Sequence, residues 1–126
     1  MHTVLVVDDS RQIRGAIKDF LLYWQPDLHV LEAQDGQEGV EMASTYHPDV
    51  ILLDMRMPKL NGASTINALR TTAETTHIPV IGITADVGYN AAIKLMAESK
   101  CQAFLQKPFN PADLFGLINS IESALK

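Results

Sequence analysis

Asp54 closes an unbroken apolar run, Val50-Ile51-Leu52-Leu53, and is followed by Met55-Arg56-Met57-Pro58. A run that short and apolar reads as a strand buried on both faces, as in a parallel sheet. Pro58 and Gly62 then mark a loop. Asp54 is therefore expected where a buried strand surfaces at its carboxyl end, the edge at which open α/β sheets bind ligands. A solvated Asp capping the next loop is the plain alternative. Val4-Leu5-Val6-Val7-Asp8-Asp9-Ser10 repeats the pattern. If the two strands are parallel neighbours, Asp8, Asp9 and Asp54 meet at one edge of the sheet. Carboxylates that close repel one another unless a cation neutralises them. A hard divalent ion with oxygen ligands, Mg²⁺ first among them, fits that need. Val80-Ile81-Gly82-Ile83-Thr84 ends a strand on a hydroxyl, and Ala103-Phe104-Leu105-Gln106-Lys107 ends one on an ammonium. Three acids, a hydroxyl and a lysine suit the binding and transfer of a phosphoryl group. The metal and Lys107 would neutralise phosphoryl oxygens, Thr84 would donate a hydrogen bond, and one carboxylate would be the nucleophile.

The elements that must position these residues alternate along the chain. The first strand is expected over Thr3 to Asp8. Ser10 caps a helix from about Arg11 to Trp24, whose Ile13, Ile17, Phe20, Leu21 and Trp24 follow helical spacing toward a core. Leu28 to Ala33 reads as the second strand, Asp35-Gly36 as a turn, and Gln37 to Tyr46 as a helix with Val40 and Ala43 inward. His47 falls in the loop before the central strand, at the edge opposite the acids, and reads as a surface residue. A helix to about Thr72 carries Ile66 and Leu69 inward, and the fourth strand runs from Pro79 to Thr84. Gly82 inside that strand reads either as a place of close backbone packing or as a tolerated weakness. A helix over about Tyr89 to Ser99 has few large apolar residues, which marks it for low local stability. The fifth strand is Gln102 to Gln106, and Asn110 and Pro111 open a last helix to about Ala124. Leu114, Ile118, Ile121 and Leu125 form its inward stripe, while Phe115 and Leu117 lie off it and offer a partner surface. Five strands alternating with five helices imply a doubly wound parallel sheet, class α/β, with helices on both faces.

A length of 126 residues, nearly half of them hydrophobic, fits one domain over residues 1–126. The formal net charge of −5, with no run rich in Lys or Arg, argues against direct nucleic-acid binding. One cysteine, Cys101, forbids an internal disulfide and suits a reducing, cytoplasmic setting. Cys101 itself reads as a partly buried, inert thiol. No apolar run approaches the roughly 18–20 residues of a membrane span, and Met1-His2-Thr3 leads into a strand, not a signal peptide.

The ordered set Asp8-Asp9, Asp54 with Met57-Pro58 and Gly62, Thr84-Ala85, and Lys107-Pro108-Phe109 resembles the receiver domain of a bacterial two-component response regulator, of the chemotaxis-regulator type. The resemblance covers essentially the whole chain. It implies a flavodoxin-like strand order 2-1-3-4-5. It also implies that Asp54 accepts a phosphoryl group from a sensor histidine kinase or phosphotransfer protein. Asp9, Asp54 and the backbone carbonyl of Arg56 would be direct Mg²⁺ ligands, with Asp8 acting through a water. Lys107 would pair with a phosphoryl oxygen. Thr84 would move to bond another, and Phe104 would turn inward after it, unless that ring is a permanently buried strand aromatic. The face of the fourth helix, fifth strand and fifth helix would then be read by an output protein or domain, the chain being a monomer or weak dimer. Beyond the family pattern, Arg56 and Asp86 either bridge over Asp54 as a lid or are two solvated loop charges.

Three other classes compete. A haloacid-dehalogenase type of phosphatase wants a second acid two residues after its nucleophile, where this chain has Arg56. A flavin binder needs a hydroxyl- or glycine-rich phosphate loop after the first strand, where Asp8-Asp9-Ser10-Arg11 would repel phosphate. A phosphate-independent interaction module has no need of the acids, Thr84 and Lys107. A stand-alone regulator is expected, with a module excised from a hybrid kinase or multidomain regulator as the alternative.

Overall fold

The computed structural model of the chain describes residues 2–55, 62–84, 101–106 and 109–124. In chain order these form β1 (Thr3–Val7), α1 (Arg11–Trp24), β2 (His29–Ala33), α2 (Gly36–Tyr46), β3 (Val50–Asp54), α3 (Gly62–Thr71), β4 (Val80–Thr84), β5 (Ala103–Gln106) and α4 (Pro111–Ala124). The helix expected over 89–99, the loop at 56–61, Asp86, Lys107 and Leu125 lie outside the described residues.

All strand pairings are parallel, in the order β2-β1-β3-β4-β5. The central strand explains its own composition. Every residue of Val50–Asp54 is buried, because β3 has a neighbour on each side and helices above and below. Side chains alternate between two cores. Val4, Val6, Val50, Leu52, Ile81, Ile83 and Leu105 meet Ile17 and Leu21 of α1 and Leu114, Ile118 and Ile121 of α4. On the other face Leu5, Val7, Ile51, Leu53 and Val80 meet Ala43 of α2 and Ile66 and Leu69 of α3. Each large aliphatic side chain buried this way contributes roughly 1.5–3 kcal/mol, so both helix pairs are held by packing more than by intrinsic helix propensity.

The helix ends have local causes. The Ser10 hydroxyl accepts from the Ile13 amide at 3.2 Å and starts α1. The Asp35 carboxylate accepts from the Glu38 amide at 2.8 Å and starts α2, and Asn110 Oδ1 accepts from the Asp113 amide at 3.0 Å in α4. His47, at φ 50°, ends α2 in the left-handed region and gives its N–H to Ala43 O. It is exposed, as the loop reading expected.

Two expectations about helix faces are corrected. Ile13 and Phe20 are 37% and 40% exposed, so the buried stripe of α1 is Ile17 and Leu21, with Trp24 at its end. Phe115 does not form an open partner surface: its ring stacks on Trp24 at 4.7 Å between centroids and 10° between planes. Phe115 and Leu117 both pack against the core shared by α1 and α4. The cause is that these two helices share one sheet face. Residues on the flank of one helix then meet residues on the flank of the other, a relation that the periodicity of either alone does not carry.

The amino-terminal rim of the sheet is braced by polar groups. Asp49 Oδ2 accepts from the amides of His2 and Thr3 at 2.8 and 2.9 Å. Arg70 Nη1 donates to the carbonyls of Thr76 and Ile78 at 3.2 and 2.8 Å, and its Nη2 reaches Gln102 Oε1 at 3.3 Å. That same Gln102 oxygen accepts from the Val80 amide at 2.7 Å, joining the starts of β4 and β5.

Candidate metal centre

The register of β1 against β3 places the acids. Val7 is opposite Leu53, so Asp8, one residue on, comes level with Asp54 at the carboxyl rim. Asp8, Asp9 and Asp54 each present a carboxylate oxygen within 4.8 Å of the other two. Asp8 and Asp54 are 1% and 6% exposed, whereas Asp9 is open to solvent. Two like unit charges about 4 Å apart repel by about 4 kcal/mol at an effective dielectric near 20. A hard cation held among the three would turn that repulsion into attraction, and an all-oxygen donor set is the kind that Mg²⁺ takes. The site thus brings together the three acids singled out by the sequence.

Asp8 is held from three directions. Its N–H donates to Ala33 O of β2 at 3.1 Å, its Oδ1 accepts from the Ser10 amide at 2.8 Å, and its carbonyl accepts from Arg14 Nη1 at 2.6 Å. Arg14 also donates from Nε to Glu32 Oε1 at 3.2 Å, and Lys18 Nζ stands 3.9 Å from the other Glu32 oxygen. Sequence reasoning missed Arg14 and Glu32. The only sequence signal was spacing: Arg14 lies four residues after the Ser10 cap, so it points back at the turn from one helical turn away.

Asp54 is fixed through its neighbour. The Met55 amide donates to Ile83 O at 2.9 Å, and Gly62 N–H reaches Met55 O at 3.3 Å. A Cβ on Gly62 would lie 2.6 Å from Met55 Cα. Only glycine lets α3 begin against the residue that follows Asp54. The sequence marked Gly62 as a loop residue and as part of the family motif, without the contact to Met55 that requires it.

Thr84 is the last residue of β4 and pairs with Gln106. Phe104 pairs with Gly82 and is half-buried against the core that contains Met55. A Cβ at position 82 would fall 2.7 Å from the Phe104 ring. The close-packing reading of Gly82 is therefore the one that holds, with a ring in place of the expected backbone. Arg56 and Asp86, the two residues of the expected lid, and Lys107 lie outside the described residues.

An open sheet of this order, with paired acids after β1 and an acid closing β3, is the receiver architecture. The profile for the response regulator receiver domain matches residues 4–119, and the chain belongs to that family. It is a receiver domain of the two-component response-regulator kind. It is 42% identical over 108 residues to a protein-glutamate methylesterase/protein-glutamine glutaminase of Pyrococcus horikoshii, covering 83% of this chain and 28% of that protein. It is 32% identical over 113 residues to the nitrate/nitrite response regulator protein NarL of Escherichia coli K12, covering 89% of this chain and 50% of that one. The chain thus spans half or less of the length of these curated relatives. The crystal structure of the Vibrio cholerae chemotaxis protein CheY4 superposes with a TM-score of 0.85 at 29% identity, over 96% of this chain and 98% of that one.

Proposed function

We propose that this chain is a phosphorylation-controlled receiver in a His-to-Asp relay, with Asp54 as its phosphoacceptor. The observation that carries the reading is the meeting of Asp54 with Asp8 and Asp9 within 4.8 Å at the carboxyl rim. An Asp54 carboxylate oxygen attacks the phosphorus of a phosphohistidine on a sensor histidine kinase or phosphotransfer protein. The P–N bond breaks, the imidazole nitrogen keeps the electron pair, and an acyl phosphate remains on Asp54. Water later attacks that phosphorus, the bond from phosphorus to the Asp54 oxygen breaks, and carboxylate and inorganic phosphate are restored. Such a chain turns over only its own acyl phosphate and is not a conventional enzyme.

Mg²⁺, when bound, supplies positive charge against the carboxylates and the phosphoryl oxygens. Asp9, Asp54 and the carbonyl of Arg56 are the residues to hold it, with Asp8 acting through a water. Lys107 pairs with one phosphoryl oxygen and Thr84 donates to another. Thr84 and Phe104 then pass the change to the face carrying β5 and α4, where an output protein or domain distinguishes the two states. The cytoplasm is the place we assign it, in keeping with a single cysteine.

A second reading rests on length: the chain covers 28% and 50% of two curated relatives, so it also fits a receiver module within a larger regulator or hybrid kinase. Both readings share one test. Intact mass is measured after incubation with acetyl phosphate, with and without Mg²⁺, beside Asp54→Asn. One phosphoryl adduct is expected, dependent on Mg²⁺ and lost in the variant. No adduct together with no Mg²⁺ binding would instead indicate a phosphate-independent interaction module.

A further inference from the structure

We propose that Arg14 and Glu32 form a positioning couple: Arg14 fixes the Asp8–Asp9 turn through the Asp8 carbonyl, and Glu32 keeps the Arg14 guanidinium off the metal-binding carboxylates. The inference rests on the reading of the acid cluster as a Mg²⁺ site and concerns two residues outside the ligand set.

A guanidinium beside several carboxylates ordinarily takes one of them in a two-point, charge-assisted pair. Arg14 instead donates to a main-chain carbonyl, at 2.6 Å from Asp8 O, and directs its Nε to Glu32 Oε1 at 3.2 Å. The Arg14 side chain is 13% exposed, so this arrangement is walled in by α1 and β2 rather than held in open solvent. Glu32 comes from β2, paired alongside β1, and Lys18, one turn further along α1, stands on its second oxygen at 3.9 Å. Glu32 therefore has cations on both oxygens, and it draws the fork of Arg14 away from the rim.

Two consequences follow for the cluster. The positive charge of Arg14 next to the acid pair offsets part of the carboxylate repulsion when no ion is bound, and by itself opposes a divalent cation, so the ordering of Asp8 must outweigh it. The backbone of Asp8 is also clamped between the Ala33 carbonyl and Arg14. Its carboxylate, anchored through Oδ1 on the Ser10 amide, then has little freedom to turn from the ion. Groups that orient metal ligands in this way commonly change affinity by 10–100-fold when removed. Glu32 acts differently. Without its charge, the Arg14 guanidinium is released to pair with Asp8 or Asp9, in competition with the cation.

That difference gives a test that a merely structural role would not pass. Mg²⁺ affinity is measured by titration calorimetry on the whole chain for wild type, Arg14→Ala, Glu32→Gln and the double variant. Urea midpoints without Mg²⁺ are recorded alongside. Arg14→Ala and Glu32→Gln are each expected to weaken Mg²⁺ binding by about 10-fold. The double variant should bind no more weakly than Arg14→Ala, because Glu32 matters only while Arg14 is there to be restrained. If Arg14→Ala does not fold, Glu32→Gln alone carries the test, its side chain being a third exposed. A wild type that binds Mg²⁺ and a Glu32→Gln that binds it equally well would overturn this inference and leave the Mg²⁺ reading standing. Losses that simply add would overturn it too. A wild type that fails to bind Mg²⁺ would overturn both.

Discussion

Cys101 shows what single residues in this fold are for. It lies beside Arg70 on the side of the sheet away from the acids, half-buried, and burial pushes its thiol up from the usual 9.0 to about 12 while Arg70 pulls the other way. The folded chain thus favours the neutral thiol. Its share of stability is complete below about 9.0 and is lost as pH rises toward 12. Because the thiolate is the nucleophile, iodoacetamide at pH 8 should label native Cys101 roughly a hundredfold or more slowly than the urea-unfolded chain. Equal rates, followed by mass spectrometry, would contradict the burial argument. The inert-thiol reading was available from the sequence, as were Asp8, Asp9 and Asp54, because each acid ends an apolar run and strand ends are easy to locate. Arg14 was not legible. Its partners are a carbonyl, which every residue has, and a Glu 18 positions away, so no pattern of residue types announces the contact.

Gly82 is best understood as part of β4 meeting β5. The ring of Phe104 occupies the volume next to the Gly82 Cα, and an added Cβ would lie 2.7 and 2.8 Å from two ring carbons and 3.2 Å from Met55 Sδ. Gly82→Ala must then displace the ring or the thioether, an overpacking change that costs about 1–3 kcal/mol. The cost measured by urea unfolding should shrink when Phe104 is already Ala, since the clash is pairwise. An unchanged cost in that background would mean that strand propensity, not the ring, sets the effect. The sequence left two readings of Gly82 open because a glycine reveals that space is needed but not what fills it. Strand extents were read within one or two residues for the same reason that the cores formed: each strand is a short apolar run bounded by polar or turn residues. The flanks of α1 and α4 were misread because Ile13, Phe20 and Phe115 obey helical spacing whether they meet a sheet, another helix or water.

At the scale of the molecule, one sheet supports two cores, and neither survives without it. Trp24, the chain's sole tryptophan, sits against Phe115 on one face only. Its fluorescence follows the packing of α1 on α4, while far-ultraviolet circular dichroism follows all helices. Urea transitions seen by the two signals should coincide, as in a two-state domain. Separate midpoints would show that the faces melt independently. The strand order came from family resemblance, whereas the parallel alternation was written in the chain itself, as a buried run followed by an amphipathic segment. The two rims of this sheet have become unlike. The carboxyl rim gathers repelling acids, while the amino rim is stapled by Asp49, Arg70 and Gln102, whose bonds go largely to main-chain amides and carbonyls. The two rims therefore separate the cost of a substitution by place. A substitution at the amino rim removes a brace of the sheet and should show in folding, while a substitution among the carboxyl-rim acids leaves those braces in place and should show in cation binding first.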